Sequence, residues 1–278
     1  SANTEPGVCA RAGGAYITSW EPGQNPLCID GYARVPGLGA DDGARNSGDA
    51  VHMEYGGGVT TVIGAASVAV PGTPAALAEL HRRYGALPWS ACLEPAIELC
   101  RSGFPLPSAC HHNLKFTGRK IFGRSAAGFR ALHPDCEQLA DAGDLIVVPG
   151  LADSLALIAK EGVDAFYKGD IGRALISHVQ AGGGDITRQD LESFEPEIRP
   201  ALKHNSNGWT LALPPPPSLG GCMLAALLTL PAAGTDPVDA MRRGLAYRRQ
   251  HIDFATDLPA TTRALLDAAQ HQQLPHYR

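Results

Sequence analysis

Residues 211–221 read LALPPPPSLGG, so a strand-like stretch runs into four consecutive prolines and then into Ser-Leu-Gly-Gly. Each proline fixes φ and removes a backbone donor, which bars residues 214–217 from a helix interior or a central strand. The two glycines that follow lack a Cβ and let two backbone segments approach closely. A chain that sets its most rigid segment against its most permissive one must turn there. Such a turn either lines a ligand site or only reverses the chain.

The surrounding pattern is mixed α/β without an internal repeat. Residues 15–20 (AYITSW) and 26–35 (PLCIDGYARV) alternate like two strands of a hairpin closed by EPGQN. Residues 37–58 are rich in Gly and Asp and have no period, which predicts a long loop. The stretch TTVIGAASVAVPG predicts a buried strand closed by Pro71-Gly72. Thr73 then caps a helix with Pro74 at its first position and Gly85 as its stop. Further helices are expected at residues 89–102, 150–161, 164–180, 187–194, 237–255 and 260–273, so helices dominate the middle of the chain, about residues 74–200.

With 278 residues, 44% of them hydrophobic, the chain can bury a sizeable core. A formal net charge of -5, with no Lys/Arg run longer than a pair, argues against nucleic acid or an anionic membrane surface as a partner. The apolar run CMLAALLTLPAA falls short of the roughly 20 residues that span a bilayer, and Ser1 opens no signal peptide, so a soluble chain is expected. Its 7 cysteines form no C-x-x-C pair, and an odd number cannot all be bridged within the chain, which favours a reducing, cytoplasmic setting. Cys110-His111-His112 invites a metal reading, but adjacent side chains diverge and no second ligand pair exists. A polar turn after a helix is the expectation there, with no metal and no cofactor.

Residues 68–106, 144–202 and 211–221, together with ARAGGAYITSW and CIDGYARVP, resemble the large chain of the γ-glutamyltransferase family. The phrases occur in the family's order and cover most of residues 7–255. The resemblance implies an N-terminal nucleophile hydrolase whose precursor cuts itself in two, leaving a threonine at the new N-terminus of a small chain. It implies an α+β fold, a four-layer αββα sandwich completed by that second chain. Residues 1–278 would then be the large (α) chain of a single αββα domain. Its partners would be the small (β) chain from the same precursor and a small-molecule substrate, and no catalytic residue is expected in this sequence. Ser1 is set aside as a nucleophile because SANTEPG reads as a turn, and Thr261-Thr262 reads as the start of the last helix.

One departure bears on function. The family places an arginine straight after Asp-Gly, where it grips the α-carboxylate of the glutamyl substrate; this chain has Asp30-Gly31-Tyr32. A neutral phenol cannot replace a bidentate charged fork. Arg34, two residues along, would share a face with Tyr32 if the strand continued, and could supply a displaced cation. The alternative is that Arg34 faces solvent and Tyr32 packs in the core. Tyr32 and Arg34 are therefore the substrate-binding candidates. Residues 9–14 (CARAGG) depart too, standing where the family has a glycine-rich run.

The resemblance thus implies a family-type hydrolase with altered specificity. The first reading is cleavage of a carbon-carbon bond next to a carbonyl, as in the 4-alkyl-L-proline pathways of lincomycin-type antibiotic biosynthesis. A bias toward Ala, Gly, Pro and Arg, common in the high-GC genes of such pathways, leans toward it. A γ-glutamyl transferase or hydrolase, a cephalosporin-acylase-like amidohydrolase, and a catalytically inactive binding homologue are the alternatives.

Overall fold

The computed structural model describes residues 5–6, 12–40, 48–54, 57–133, 137–206, 208–230, 236–271 and 273–274. Ser1, Cys9, Ala10 and Arg11 lie outside the described residues. In chain order the first half holds β1 (Ala15–Ser19), β2 (Leu27–Gly31), β3 (Asp49–Met53), β4 (Val59–Ile63), α1 (Thr73–Tyr84), α2 (Trp89–Ser102), β5 (Phe104–Pro105), α3 (Ser108–Ile121) and α4 (Ala126–Leu132). After these come β6 (Leu145–Ile146), α5 (Leu151–Glu161), α6 (Asp164–Tyr167), α7 (Asp170–Ala181), α8 (Arg188–Glu192), β7 (Glu197–Pro200), β8 (Leu202–Ser206), β9 (Trp209–Leu213), α9 (Leu219–Thr229), α10 (Pro237–Tyr247) and α11 (Leu258–Gln270). They divide into two compact units, one of Ser1–Ala15 with Gly31–Pro196 and one of Tyr16–Asp30 with Glu197–Arg278.

In the first unit, α2 packs on α5 through Ile97, Cys100, Ala152 and Leu155. A second cluster joins Phe104, Leu106, Cys110, Leu114 and Ile146, and a third gathers Val70, Phe166, Tyr167, Ile186, Leu191 and Phe194. In the second unit, β1, β2 and β7 form a sheet in that order, with β7 antiparallel to β2 from Leu27↔Pro200 to Asp30↔Glu197. The antiparallel ribbon β8–β9 and helices α9, α10 and α11 enclose Leu213, Ala225, Leu230, Ile252, Leu265 and Leu274.

Several expectations change for physical reasons. The second hairpin strand stops at Gly31 rather than Val35, because β7 gives out opposite Asp30; beyond it Arg34 makes an isolated antiparallel bridge to Val70. The loop expected at residues 37–58 contains β3, paired with β4, and the strand expected after it is short and mostly exposed, so neither carries a hydrophobic period. Thr73 is the first residue of α1 rather than its cap: Gly72 is the N-cap, and Gly13 O accepts from both Gly72 N and Thr73 N, at 2.9 and 3.0 Å. Cys110-His111-His112 sits inside α3 instead of a turn, with Cys110 buried and His111 Nδ1 bonded to Ala140 O at 2.9 Å. Among the described residues no group of three or more His, Cys, Asp or Glu side chains could hold a metal ion. The helix at residues 164–180 divides at Gly169 into α6 and α7, and α3, α4 and α9 stand where the sequence pattern predicts no helix. Thr261 does lie in the first turn of the last helix, its hydroxyl donating to Asp257 O at 2.8 Å. Among the described residues no helix is long and apolar enough to cross a membrane.

Candidate functional site

In the first unit Gly31, which precedes Tyr32, is fixed by backbone contact. A Cβ at Gly31 would lie 2.4 Å from Ala76 Cβ and 2.8 Å from Gly72 O, and one at Gly72 would lie 2.2 Å from Gly31 O. Neither glycine can carry a side chain without moving Gly31 and the start of α1 apart. Gly14 plays the same part for the next residue: an added Cβ would meet Ala33 N at 2.5 Å and Tyr32 Cδ2 at 2.9 Å. The Tyr32 ring therefore rests beside a bare backbone, and the residue remains 56% exposed.

An aromatic column holds the chain just beyond. Tyr167 donates its hydroxyl to Pro71 O at 2.8 Å and accepts from Ala75 N at 3.2 Å, and burial pushes its phenol pKa up, so it stays a neutral bridge at the start of α1. Phe194 stacks on Tyr167 with ring centroids 5.6 Å apart. The Arg34 guanidinium carbon lies 4.7 Å from the Phe194 centroid, and Arg34 Nη2 donates to Glu195 O at 2.7 Å. The Tyr32 ring lies against Gly14, and the Arg34 guanidinium lies over Phe194 and reaches Glu195 O.

Asp190 fixes the far end of the same segment. It is 2% exposed and closes a capping box with Thr187 at the start of α8. Its carboxylate also accepts from Gly37 N at 2.8 Å and Leu38 N at 3.0 Å, while Thr187 Oγ1 donates to Leu38 O at 2.7 Å. The T-x-x-D spacing announces the cap in the sequence; nothing there announces that the same carboxylate holds a segment 153 residues upstream.

In the second unit, Arg199 on β7 forms an ion pair with Asp30 on β2 and donates through Nη1 to Pro216 O at 2.6 Å. One guanidinium thus joins the Asp of the Asp-Gly step to the proline turn. Next to Asp30, Cys28 has its thiol pKa raised by burial and then by the Asp30 charge, so it stays protonated and is no nucleophile. The proline turn reverses the chain from β9 into α9, and a Cβ at Gly221 would lie 3.1 Å from Pro214 Cδ and 3.2 Å from Leu213 Cβ. That tight crossing explains why a glycine follows the prolines. Sequence reasoning missed Asp190, Phe194, Tyr167 and Arg199, whose parts depend on distant partners.

The family model described as Gamma-glutamyltranspeptidase matches residues 4–275. The mouse protein "Glutathione hydrolase 5 proenzyme" is 36% identical over 169 residues, covering 60% of this chain and 29% of its own length. The chain spans about three tenths of the length of such curated relatives. The gamma-glutamyltranspeptidase of Pseudomonas nitroreducens superposes with a TM-score of 0.73 at 26% identity, over 97% of this chain and 83% of that one. The cephalosporin acylase of Bacillus halodurans shares the fold, with a TM-score of 0.71 at 20% identity over 97% of this chain and 52% of the other.

Proposed function

The chain belongs to the gamma-glutamyltranspeptidase family, and from that premise we propose that it is the large chain of an N-terminal nucleophile hydrolase whose specificity has moved away from glutamyl groups. The α+β fold is that of the family's solved members. Under this reading residues 1–278 form part of one αββα domain. The nucleophile belongs to a small chain released from the same precursor, consistent with the "proenzyme" relatives. Tyr32 carries the reading. It follows Asp30-Gly31 at the end of β2, anchored by glycine contacts, and it presents a phenol where a charged fork is required for a carboxylate.

The reaction assigned to the mature enzyme is attack by the threonine hydroxyl on a carbonyl, with its own amine as base and backbone N–H groups facing the oxyanion. The bond that breaks is the one from the carbonyl carbon to its leaving atom. For a carbon-carbon bond, the electron pair goes to the leaving carbon, which takes up a proton, and water then releases the acyl group as a carboxylic acid. Such cleavage, on a 4-alkyl-L-proline intermediate, is the first substrate reading. Amide hydrolysis of the acylase type makes the same demands on the site and is the second.

A chromogenic γ-glutamyl anilide tests the displacement. Losing one charge-assisted bidentate contact costs on the order of 2–3 kcal/mol, so turnover by the mature two-chain enzyme should fall about 100-fold below that of an arginine-bearing relative. Tyr32→Arg should raise it measurably. Ordinary γ-glutamyl turnover by the unaltered enzyme would overturn the reading in favour of a glutamyl transferase or hydrolase. The absence of turnover on every acyl and ketone substrate, despite processing, would favour a binding homologue.

A further inference from the structure

Helix α3 disposes of its charges differently from its neighbours. In α1, α6, α7 and α8 the charged residues pair within the helix, three or four positions apart: Glu79 with Arg82 and Arg83, Asp164 with Lys168, Asp170 with Arg173, and Arg188 with Glu192. Residues 108–133, from α3 through α4, carry Lys115, Arg119, Lys120, Arg124 and Arg130 and no Asp or Glu. The other 18 Lys and Arg of the chain stand against all 28 Asp and Glu, so this one stretch is basic on an otherwise acidic protein. All five cations are exposed. Arg124 pairs with Asp49, Lys120 Nζ donates to His52 O at 2.6 Å, and Arg130 Nε donates to Ala126 O at 3.1 Å. Among the described residues Lys115 and Arg119 have no hydrogen-bond or ion-pair partner. The helix dipole accounts for Arg119 and Lys120 in the last turn, but not for Lys115 one turn earlier.

Cys110, Leu114, Thr117 and Gly118 are the buried side of α3, so His112, Lys115, Phe116 and Arg119 share the opposite one. His112 and Phe116 meet edge to face, with ring centroids 5.6 Å apart. We propose that this outward face of α3 is a docking surface for an acidic polypeptide segment, whose carboxylates pair with Lys115 and Arg119 while an apolar residue between them rests on the His112–Phe116 pair. Two cations four positions apart on a helix stand about 6 Å from each other, close to the spacing of alternate side chains on an extended strand. A nucleic-acid duplex or a membrane plane would extend past this face over the acidic remainder of the chain and be repelled there, whereas a short acidic segment need not. The surface lies within the first unit and is independent of Tyr32 and of the reaction proposed above.

The test follows the fluorescence anisotropy of a labelled peptide repeating Glu-Leu-Glu as the mature two-chain protein is added, at low and at physiological salt. Saturable binding that weakens with salt is expected, with loss of binding when Gln replaces Glu in the peptide and a several-fold loss when Gln replaces Leu. Lys115→Glu combined with Arg119→Glu should weaken binding about tenfold or more, while Arg173→Glu, which removes an exposed cation from α7, should change it less than about twofold. Should the double reversal disturb the fold, Lys115→Gln combined with Arg119→Gln keeps the measurement decisive and should still cost several-fold. The docking surface is overturned if the peptide does not bind at low salt, or if both double variants bind it as tightly as the parent. It is also overturned if duplex DNA or phosphatidylserine vesicles bind through the same two residues more tightly than the peptide. Acetic anhydride gives the last outcome: Lys115 acetylated in the mature protein as readily as Lys168 supports an open face, and Lys115 protected means that the small chain already covers it and overturns the proposal.

Discussion

Helices α7 and α10 are of nearly equal length, 12 and 11 residues, and both bury one face, yet their outward faces differ in kind. In the first unit α7 buries Gly172 and Val179 and turns Arg173, Ser177 and Gln180 to solvent. In the second unit α10 buries Ala240, Arg243, Gly244 and Ala246, and carries Val238, Met241 and Leu245 on the opposite side, each about half-exposed. Its neighbour α9 repeats the pattern with Leu224 and Leu228 outward. A helix that is polar outside is finished against water, whereas one that leaves three large apolar side chains half-exposed offers a surface for a partner to cover. Under the proposed two-chain reading, this is a surface for the small chain.

The largest effect should come from withholding that chain. Expressed alone, residues 1–278 should be insoluble or should bind a hydrophobic dye strongly, and co-expression with the downstream chain should restore a soluble complex; a monomeric, cooperative unfolding transition from the large chain alone would erase the distinction between α7 and α10. Next in size is Asp190→Ala, which leaves the amides of Thr187, Gly37 and Leu38 without their acceptor in the first unit. A loss of about 3 kcal/mol or more is expected in denaturant unfolding of the assembled protein, and a value near zero would mean the loop tether does not hold. Met241→Lys on α10 should weaken association of the two chains about tenfold in a dilution assay, while Ser177→Lys on α7 should stay within about 0.5 kcal/mol of the parent in stability.

The smallest effect is a pH dependence in the second unit. His204 Nε2 meets Thr229 Oγ1 at 2.9 Å, and burial lowers the imidazole pKa below its ordinary 6.5, with Asp267 pulling the other way. A base with a depressed folded pKa favours folding when neutral, so this contribution is present above about pH 6.5 and is lost as pH falls through the folded value. His204→Gln should flatten that slope in thermal melts between pH 7 and pH 5; an unchanged slope would remove His204 from the account.

Local chemistry was legible where a residue's neighbours in sequence are also its neighbours in space. Gly85 ends α1 as expected, with Pro74 in its first turn, and the EPGQN hairpin forms. Helix α9 escaped because its apolar residues show no single face and it opens on Leu-Gly-Gly, which reads as a turn. Helix α3 escaped because Cys110-His111-His112 looks like polar punctuation. The substitution at Tyr32 was visible only through the family's pattern. The brace on Arg34 was not visible at all, since its acceptor, Glu195 O, lies 161 residues away.

The contact between Gly31 and Gly72 has an evolutionary consequence. Because it is made by two backbones, it sets where residue 32 stands without regard to what residue 32 is. Codon changes at that position can exchange one side chain for another while the anchor beneath stays put, so under the substrate-binding role proposed for Tyr32 ligand preference would drift in single steps without a compensating repair elsewhere. The same arrangement makes position 32 a suitable place to begin a saturation library: variants there should differ in selectivity far more than in expression, and lineages could part company at this residue long before their scaffolds diverge.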